Sequence, residues 1–600
     1  MCGIAGILQD TASATVANRL ARMHGAIAHR GPDDRGVWQS PGGHAAYAHT
    51  RLSIIDLSSA GHQPMAIADG RFTITYNGEI YNFAELRRSL SSTGVAFRSN
   101  SDTEVILRLY ESEGPAFVER LRGMFAFAIW DEHERTCLLA RDRFGIKPLY
   151  YHEAGDVLTF ASEVRALIAS GVSATLDTQA TYEYFRSGSV PEPLTLFRGV
   201  RALEAGQYMI WRAGRIATRQ YWDINFDSED EEPEPVRATR NALLDSVAHH
   251  FVGDVPVGVF LSGGVDSTAI VALARAVRPE KLRTFSITFP GSPLDEGPQA
   301  RRTAGHFATE HHEWAVDAQT ARPLFDEFLS AADQPSIDGF NTYTVSRLAG
   351  RQGVKVVLSG LGGDEIFGGY PSFREVPRLA RMGRWLASAG PAARGAVRVA
   401  GAIAGSRVRR LSDLVARPPS LEDAYQVFRG IYTRDEALRL TEHYVGGSGA
   451  VVDHVDPLST VSVGDPRDGV SRLEITRYMR NQLLRDTDVM SMACGIELRV
   501  PFLDSELFAT MSRVRACQRL QPGKRLLTEA VPEIPEWVAT RPKRGFVFPM
   551  HQWFEHDWAG EFGNISQSKA RRIAPMDTWY RKWSVLAFEH WLQRSAPQHG

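Results

Sequence analysis

Cysteine is scarce in this chain of 600 residues, and its cysteines lie far apart. The four are Cys2, Cys137, Cys494 and Cys517, and no two have the spacing of a metal-binding or redox-active pair. This pattern argues against a disulfide framework and against a cysteine-based zinc site. Scattered, reduced cysteines are typical of a cytoplasmic protein, which is the location that we expect.

The chain also lacks a long apolar run and an excess of charge of either sign. No stretch of about 18 uncharged apolar residues occurs, and no basic segment precedes the short apolar run at the N-terminus. We therefore expect neither a transmembrane helix nor a signal peptide. The formal net charge of -2 provides no basic field for nucleic acid or for an acidic membrane, and we expect neither as a partner.

The length is too great for a single hydrophobic core, and an acidic stretch marks where the chain divides. Hydrophobic residues make up 43% and charged residues 23%, which is ordinary for a globular protein. Residues 227–236, DSEDEEPEPV, combine acidic side chains with two prolines, which is typical of a solvated linker. We predict a domain over 1–205, a connecting segment over 206–236 and a second domain over 237–600.

A strand, a glycine turn and the start of a helix follow one another early in the second domain. The apolar residues at 255–261 predict a buried strand, SGG at 262–264 predicts a turn, and DS at 266–267 opens a helical run. Free backbone N–H groups and the positive end of the helix dipole would point at this turn, which favours an anion. No lysine follows the glycines, so this is not the common GxxxxGK[ST] phosphate loop. From these residues alone, a phosphate loop and a plain turn both remain open.

A second glycine turn repeats this pattern later in the chain. In VKVVLSGLGGDEIFGGY, at 354–370, a β-branched run precedes a turn that carries Asp364 and Glu365. Strands that alternate with helices predict a doubly wound parallel sheet, in which both turns face one crevice at the carboxyl ends of the strands. Asp266 and Asp364 are then the obvious groups to reach phosphates and a magnesium ion, with helix capping as the alternative.

The first domain carries a cysteine that removal of the initial methionine would place at the N-terminus. The α-amino group, with a pKa of about 8, would then serve as the base for the Cys2 thiol without help from a histidine. A cysteine of no catalytic importance is the alternative. The many strands predicted over 1–205, with helices between some of them, indicate an α/β-layered sandwich.

Six motifs in this domain resemble the glutaminase domain of the class II glutamine amidotransferases, which are N-terminal-nucleophile hydrolases. The motifs are MCGI at residue 1, HRGPD at 29, RLSIID at 51, NGEIYN at 77, SDTE at 101 and RDRFGIKPLYY at 141. Their order and number make the resemblance specific, whereas each motif alone is weak. The resemblance implies an αββα sandwich that hydrolyses glutamine to glutamate and ammonia.

The resemblance also implies roles for residues at the matching positions. Cys2 would attack the side-chain amide of glutamine, and Asn77 and Gly78 would form the oxyanion hole. Arg51 would pair with the α-carboxylate of glutamine and Asp102 would hold its α-ammonium group, with a surface ion pair as the alternative for both. The other residues that the resemblance assigns to glutamine are Leu52, Ser53, Ile54, Ile55 and Glu79.

The second domain resembles the synthetase domain of the glutamine-hydrolysing asparagine synthetases. The motifs are SGGVDS at residue 262, SGLGGDEIFGGY at 359, MSMACGIELRVPFLD at 490, KRLL at 524 and RPKRGFVFP at 541. The resemblance implies that ATP, with Mg²⁺, activates the side-chain carboxylate of aspartate as an acyl adenylate. Ammonia would cross an internal tunnel and form the amide. A homodimer is one assembly state that this family resemblance leaves open, and the sequence does not determine which state forms.

This second resemblance assigns a nucleotide site to the two glycine turns and to positions near them. Lys524 would neutralise charge as pyrophosphate leaves, with a solvated surface lysine as the alternative. Asp266 and Asp364 would hold the metal ion. The residues assigned to ATP are Leu261, Ser262, Gly263, Gly264, Asp266, Ser267, Ile287, Ser359, Gly360 and Asp364.

One residue departs from the pattern of the asparagine synthetases. They usually carry glutamate in the second glycine turn, where this chain has Leu361. Leucine cannot accept a proton, pair with an ammonium group or contact magnesium. Either a neighbouring acid, Glu365 or Asp338, supplies the function, or the acceptor is another carboxylate, such as a sugar acid, a peptide or a secondary-metabolite acid. We expect aspartate and keep the other carboxylates as the alternative.

Overall fold

A computed structural model describes most of the chain. The described residues are 2–13, 15–226, 230–388, 395, 405–414, 419–447, 451, 464–542, 548–562 and 569–595. Two of the predicted segments lie partly outside them, namely the acidic linker at 227–229 and the RPKRGFVFP motif at 543–547. Within the described ranges, no helix has the length and apolar character that a membrane span requires.

Two six-stranded antiparallel sheets form the N-terminal part. Their orders are β10-β8-β9-β1-β3-β2 and β12-β11-β7-β6-β5-β4. The strands are β1 (Gly3–Leu8), β2 (Asp34–Gln39), β3 (Ala45–Arg51), β4 (Met65–Ile67), β5 (Phe72–Ile80), β6 (Gly123–Asp131), β7 (Thr136–Arg141), β8 (Tyr150–Ala154), β9 (Val157–Ala161), β10 (Val200–Ala202), β11 (Gln207–Arg212) and β12 (Arg215–Gln220).

Apolar side chains from both sheets fill the space between them. Ile4 of β1, Tyr47 of β3 and Trp130 of β6 belong to this buried cluster. Successive side chains of a strand point to opposite faces, so the outer faces remain to bury helices. The helices against the first sheet are Val16–Ala26, Val164–Ala169 and Thr178–Ser187, and those against the second are Phe83–Ser92 and Asp102–Glu113. The predicted αββα sandwich is confirmed.

Two strands of this sandwich fall inside the segment that we predicted as a connection. β11 and β12 pair with each other, and β11 also pairs with β7 at the edge of the second sheet. The first half of the predicted segment 206–236 therefore extends the sheet. The three domain ranges stay a prediction.

A five-stranded parallel sheet organises the C-terminal part, as predicted. Its strands are β13 (Val257–Phe260), β14 (Arg283–Thr288), β15 (Glu310–Ala315), β16 (Val356–Leu358) and β17 (Glu497–Arg499). The order is β15-β14-β13-β16-β17, and each neighbouring pair is parallel.

Helices account for most of the remaining C-terminal part. A π-helical segment, Glu474–Leu484, leads directly into one of them. The α-helices are Pro235–His250, Val265–Val277, Gly297–His306, Ala318–Ala331, Phe340–Arg351, Gly363–Phe367, Ser372–Ser388, Gly405–Arg410, Leu421–Arg429, Arg434–Val445, Pro466–Leu473, Arg485–Met492, Ser505–Ser512, Ala516–Arg519, Arg525–Ala530, Glu536–Ala539, Met550–Gln552, Ala559–Phe562 and Trp579–Ser595.

The strand order reverses between β13 and β16. β13 pairs with β14 on one side and with β16 on the other, so the connections from these two central strands run to opposite edges of the sheet. In open parallel sheets, ligands bind at such a switch point, beyond the carboxyl ends of the strands. One glycine turn follows β13 and the other follows β16, so the topology brings both turns to this point.

Buried ion pairs join the sandwich to the parallel-sheet part. The Nε and Nη2 atoms of Arg122 each lie 2.8 Å from a carboxylate oxygen of Asp504. Arg30 donates from Nη2 to Asp488 Oδ2 at 2.7 Å and from Nε to the carbonyl oxygen of Cys2 at 3.1 Å. Loss of one partner would leave a buried charge uncompensated, so these pairs constrain how the two parts meet.

Two candidate catalytic sites

Cys2 lies immediately before β1 and is 8% exposed. Its backbone N–H donates to Asn77 Oδ1 at 2.9 Å. Burial raises the pKa of the Cys2 thiol, although the backbone N–H of Leu52 and the charge of Arg51 act in the opposite direction. A thiol of raised pKa needs a base, and the α-amino group freed by removal of the first residue would provide one.

The Asn77 side chain places an amide donor beside this cysteine. Asn77 belongs to β5 and is fully buried, and its Nδ2 has no hydrogen-bond partner among the described residues. A buried donor without a partner costs about 1–3 kcal/mol, and such a donor is suited to a developing oxyanion. At the next residue, Gly78, an added Cβ would lie 2.2 Å from the Met124 carbonyl oxygen, so this position has no room for a side chain.

Arg51 and Asp102 are both buried, and among the described residues they are not paired with each other. Arg51 donates to three carbonyl oxygens of the loop 55–58 at 2.6 to 3.2 Å. Asp102 accepts hydrogen bonds from the Tyr76 hydroxyl at 2.8 Å and from the Ile80 N–H at 3.1 Å, and burial raises the pKa of its carboxyl. A surface ion pair therefore does not describe them, and their glutamine-binding roles stay predictions.

Residues 52–55 lie where the sandwich meets the parallel sheet. Their three apolar side chains form a buried cluster with Val356 of β16. The backbone N–H of Leu52 donates to the Cys2 thiol, and that of Ser53 donates to Asp33 Oδ2 at 2.7 Å. The apolar side chains thus hold the two parts together while a backbone group faces the nucleophile. Contact with glutamine stays a prediction for this segment.

Glu79 links the first site to the second. Its Oε2 lies 3.6 Å from Arg499 Nη2, and within the described part of the chain this oxygen has no hydrogen-bond partner. Burial, followed by the nearby charge of Glu497, raises the pKa of Glu79. The carbonyl oxygen of Arg499 accepts the N–H of Ser359, the first residue of the second glycine turn, at 2.9 Å. Short contacts therefore run from β5, which carries Asn77 and Glu79, to the second glycine turn.

The two glycine turns line a cavity of about 1320 Å³ at the switch point of the parallel sheet. Every residue predicted to bind ATP lines this cavity. Gly263 has a φ of 74° and Gly362 a φ of 96°, which side chains rarely adopt. Pockets for a single ligand measure roughly 300–1,000 Å³, so the cavity is large enough for a nucleotide and a second substrate.

Lys524 bridges the two turns. Its Nζ lies 2.5 Å from each carboxylate oxygen of Asp266 and 2.5 Å from Asp364 Oδ1. Burial by itself would lower the pKa of the Lys524 ammonium group, but the two carboxylates raise it. Lys524 is only 4% exposed, so the alternative of a solvated lysine is wrong.

Asp266 and Asp364 bring one carboxylate from each glycine turn into this cavity, and Mg²⁺ prefers carboxylate and phosphate oxygens. The described residues contain no group of three or more His, Cys, Asp or Glu side chains that could hold a metal ion. A magnesium ion here would therefore need oxygen atoms of the nucleotide to complete its coordination. This is the usual arrangement at nucleotide sites, which bind the ion through one or two carboxylates together with phosphates.

Leu361 faces the cavity from the second turn, and two acids line the same cavity. Glu365 accepts a hydrogen bond from the Tyr370 hydroxyl at 2.9 Å. Burial, followed by the charge of Asp364, raises the pKa of Glu365 to about 8. Burial also raises the pKa of Asp338.

Arg429, Tyr478 and Gln482 are among the residues that line this cavity without having been predicted from the sequence. Tyr478 and Gln482 lie on the π-helical segment, and Gln482 is 5% exposed. A π-helix is rare and has no spacing rule as clear as that of an α-helix. The sequence therefore carried no signal that Tyr478 and Gln482 would face the cavity.

Comparison with known protein families agrees with this geometry. Residues 1–222 match the family described as "Glutamine amidotransferase domain", and residues 238–593 match the family described as "Asparagine synthase". The two matches define the class: a sandwich with a buried cysteine before its first strand, joined to a parallel sheet with two glycine turns, is a glutamine amidotransferase domain coupled to a synthetase domain.

Individual relatives extend the similarity over nearly the whole chain. Asparagine synthetase [glutamine-hydrolyzing] 1 of Bacillus subtilis is 34% identical, with 94% of this chain and 90% of the relative covered. A putative asparagine synthetase [glutamine-hydrolyzing] of Mycobacterium tuberculosis is 33% identical, with 98% and 97% covered. Amidase chry2 of Gibberella zeae is 35% identical over only 58% of this chain and 54% of the relative. The chain belongs to the family of glutamine-hydrolysing asparagine synthetases.

Proposed function

We propose that this chain makes asparagine from aspartate, with glutamine as the nitrogen donor and ATP as the activating substrate. The side-chain carboxylate of aspartate attacks the α-phosphate of ATP and releases pyrophosphate. Ammonia from glutamine then attacks the acyl adenylate and displaces AMP. The products are asparagine, glutamate, AMP and pyrophosphate.

The position of Lys524 is the observation that carries this proposal. Its ammonium group joins carboxylates from both glycine turns, in a cavity that all the predicted ATP residues line. A charged, buried lysine at this place is suited to a nucleotide whose phosphates gain charge as pyrophosphate leaves. Asp266 and Asp364 would hold the Mg²⁺ ion that accompanies ATP, whose charge offsets that of the phosphates.

Cys2 and Asn77 account for the glutamine half of the reaction. The free α-amino group takes the thiol proton, and the thiolate attacks the amide carbon of glutamine. The Asn77 amide and the Gly78 N–H stabilise the oxyanion, and ammonia leaves with the proton that the α-amino group returns. Water then cleaves the thioester, which releases glutamate and restores Cys2.

Asn77→Ala is expected to lower kcat for glutamine hydrolysis by about 10²–10³-fold, the usual effect of removing one oxyanion donor. Amide formation from added ammonium should keep its rate, because the nucleotide cavity does not include Asn77. Both rates can be measured on the same preparation by glutamate release and by asparagine formation. The control is Asn100→Ala at an exposed asparagine, for which both rates should be unchanged. Full glutaminase activity in Asn77→Ala would contradict the oxyanion assignment.

Pyrophosphate release across a panel of acceptors tests the proposed function. With ATP, Mg²⁺ and glutamine present, L-aspartate is expected to stimulate release and to yield one asparagine for each pyrophosphate. Because Leu361 departs from the family pattern, a sugar acid and a dipeptide belong in the same panel. Stimulation by one of these and not by aspartate would overturn aspartate as the acceptor and leave the amidotransferase class intact.

The remaining expectations are part of this proposal. We propose that the chain forms two domains, 1–205 and 237–600, joined by the segment 206–236. We also propose that the protein is cytoplasmic and that it forms a homodimer. Size-exclusion chromatography with light scattering checks the assembly state directly.

A further inference from the structure

A partly buried carboxylate, that of Asp338, lies on the wall of the cavity that Leu361 also lines. Asp338 lines the cavity, and its Oδ1 accepts the N–H of Gly339 at 2.7 Å. The hydroxyl group of Tyr478 also hydrogen-bonds to this carboxylate. Among the described residues, no lysine, arginine or histidine forms an ion pair with Asp338. The hydrogen-bond donors to this acid are thus neutral groups, and the positive charge that acts on it belongs to Arg429.

Glu365 adds a second carboxylate to the same wall. It is fully buried and lines the cavity, and its Oε1 accepts the Tyr370 hydroxyl at 2.9 Å. Its Oε2 has no hydrogen-bond partner within the described ranges. The rings of Tyr370 and Tyr478 lie 6.0 Å apart, so the two tyrosines connect Glu365 to Asp338 along one surface.

An arginine that lines the same cavity, Arg429, already has a partner. The guanidinium group of Arg429 lies over the rings of Tyr370 and Tyr478, at 4.6 and 3.9 Å from their centres. It pairs with Glu474 at 2.7 Å. One positive charge therefore faces the carboxylates of Glu474, Asp338 and Glu365. Burial of a carboxylate without a counter-charge is costly, so this wall favours a ligand that brings a positive charge.

An ammonium group fits this wall better than a metal ion does. Within the described residues, no group of three or more potential metal ligands exists, and Asp338 receives hydrogen-bond donors on one side. The cavity must also hold the acceptor, whose carboxylate has to reach the nucleotide at the two glycine turns. The Leu361 side chain offers no hydrogen bond to that acceptor, whereas the carboxyl groups of Asp338 and Glu365 offer oxygen atoms that can accept hydrogen bonds from an ammonium group.

We propose that Asp338, together with Glu365, binds the ammonium group of the acceptor amino acid and so selects amino acids over carboxylic acids that lack this group. The assignment rests on the proposed function, because it places the acceptor in the nucleotide cavity. Asp338 is a specificity-determining residue in this scheme: it contacts the acceptor but not the atoms that react. In this scheme the acceptor is bound through Asp338 and Glu365, so position 361 does not require an ionisable side chain.

L-Aspartate and succinate provide a matched pair of probes for this assignment. They share the carbon skeleton and both carboxylates, and they differ by the ammonium group. ATP–pyrophosphate exchange measures formation of the acyl adenylate alone, without glutamine. The unsubstituted enzyme is expected to prefer aspartate by on the order of 100-fold in kcat/KM, the effect of one buried charge pair.

Asp338→Asn is expected to reduce this preference to about tenfold or less, through a higher KM for aspartate and an unchanged kcat/KM for succinate. Asp338→Ser, which removes the carboxylate in a smaller side chain, should behave in the same way. Glutamine hydrolysis at the Cys2 site reports whether each variant is folded. An Asp338→Asn enzyme that keeps the full preference for aspartate would overturn the assignment.

The control is Glu375→Gln, an acid-to-amide change at another residue of the same cavity. Glu375 already pairs with Arg374 at 2.8 Å and with Arg378 at 3.3 Å, so it has no free charge to offer a substrate. Its substitution should leave the ratio of aspartate to succinate unchanged. If the unsubstituted enzyme shows no aspartate-dependent exchange, the proposed function itself is overturned. This outcome differs from the one that overturns the Asp338 assignment, so the two can be told apart.

Discussion

Cys2→Ala is expected to abolish glutamine hydrolysis and to preserve amide formation from added ammonium. The substitution removes the thiol of the residue whose backbone N–H donates to Asn77 Oδ1, and loss of a nucleophile of this kind lowers kcat by on the order of 10⁴-fold or more. The nucleotide cavity, with Lys524 and both glycine turns, does not include Cys2. Glutamate release should therefore vanish while ammonium-dependent pyrophosphate release keeps its rate.

The other cysteines give this prediction its control. Cys517 is exposed, so Cys517→Ala should leave both activities unchanged. Cys137 is fully buried, and its sulfur atom is hydrogen-bonded to the Tyr47 hydroxyl. It is therefore unsuitable as a control position, since its loss would disturb the core of the sandwich. Glutamine-dependent asparagine formation that survives in Cys2→Ala would show that another residue is the nucleophile.

The glycine turns were predictable because local chemistry determines them. An apolar run followed by Ser-Gly-Gly predicts a strand over 255–261 and a helix from about 266, and the structure has the strand at Val257–Phe260 and the helix at Val265–Val277. Gly263 adopts a positive φ, and an added Cβ there would lie 2.9 Å from the backbone nitrogen of Ala300, so its identity follows from its position. Parallel-sheet topology then brings the second turn to the same crevice.

Long-range contacts could not be predicted in this way. Lys524 meets Asp266 across 258 residues of sequence, and no spacing rule links the two positions. The contact of residues 52–55 with Val356 likewise depends on how the sandwich meets the parallel sheet. The acidic stretch at 227–236 suggested a long connection, yet β11 and β12 precede it at the edge of the sheet. The composition of this stretch predicts a connection, but it carried no signal for the two strands that precede it.

Lys524→Met is expected to lower aspartate-dependent pyrophosphate release by about 10³-fold or more, since it removes a buried cation aimed at the phosphates. Methionine fills much of the same space but removes the ammonium charge that lies between the carboxylates of Asp266 and Asp364. Lys524 also has a φ of 55°, a conformation that non-glycine residues adopt at a cost of roughly 1–3 kcal/mol. The fold accepts this cost at the residue that bridges both turns, which agrees with a role in catalysis.

The control for Lys524→Met is the same substitution at a lysine on the surface. Lys281 is 74% exposed and pairs with Glu310 at 3.0 Å, so Lys281→Met should leave pyrophosphate release unchanged. Glutamine hydrolysis should persist in both variants, because Cys2 and Asn77 do not contact Lys524. If Lys524→Met releases pyrophosphate at the normal rate, the two carboxylates must be neutralised by the metal ion alone, and the lysine then serves to hold the turns together rather than to stabilise the leaving group.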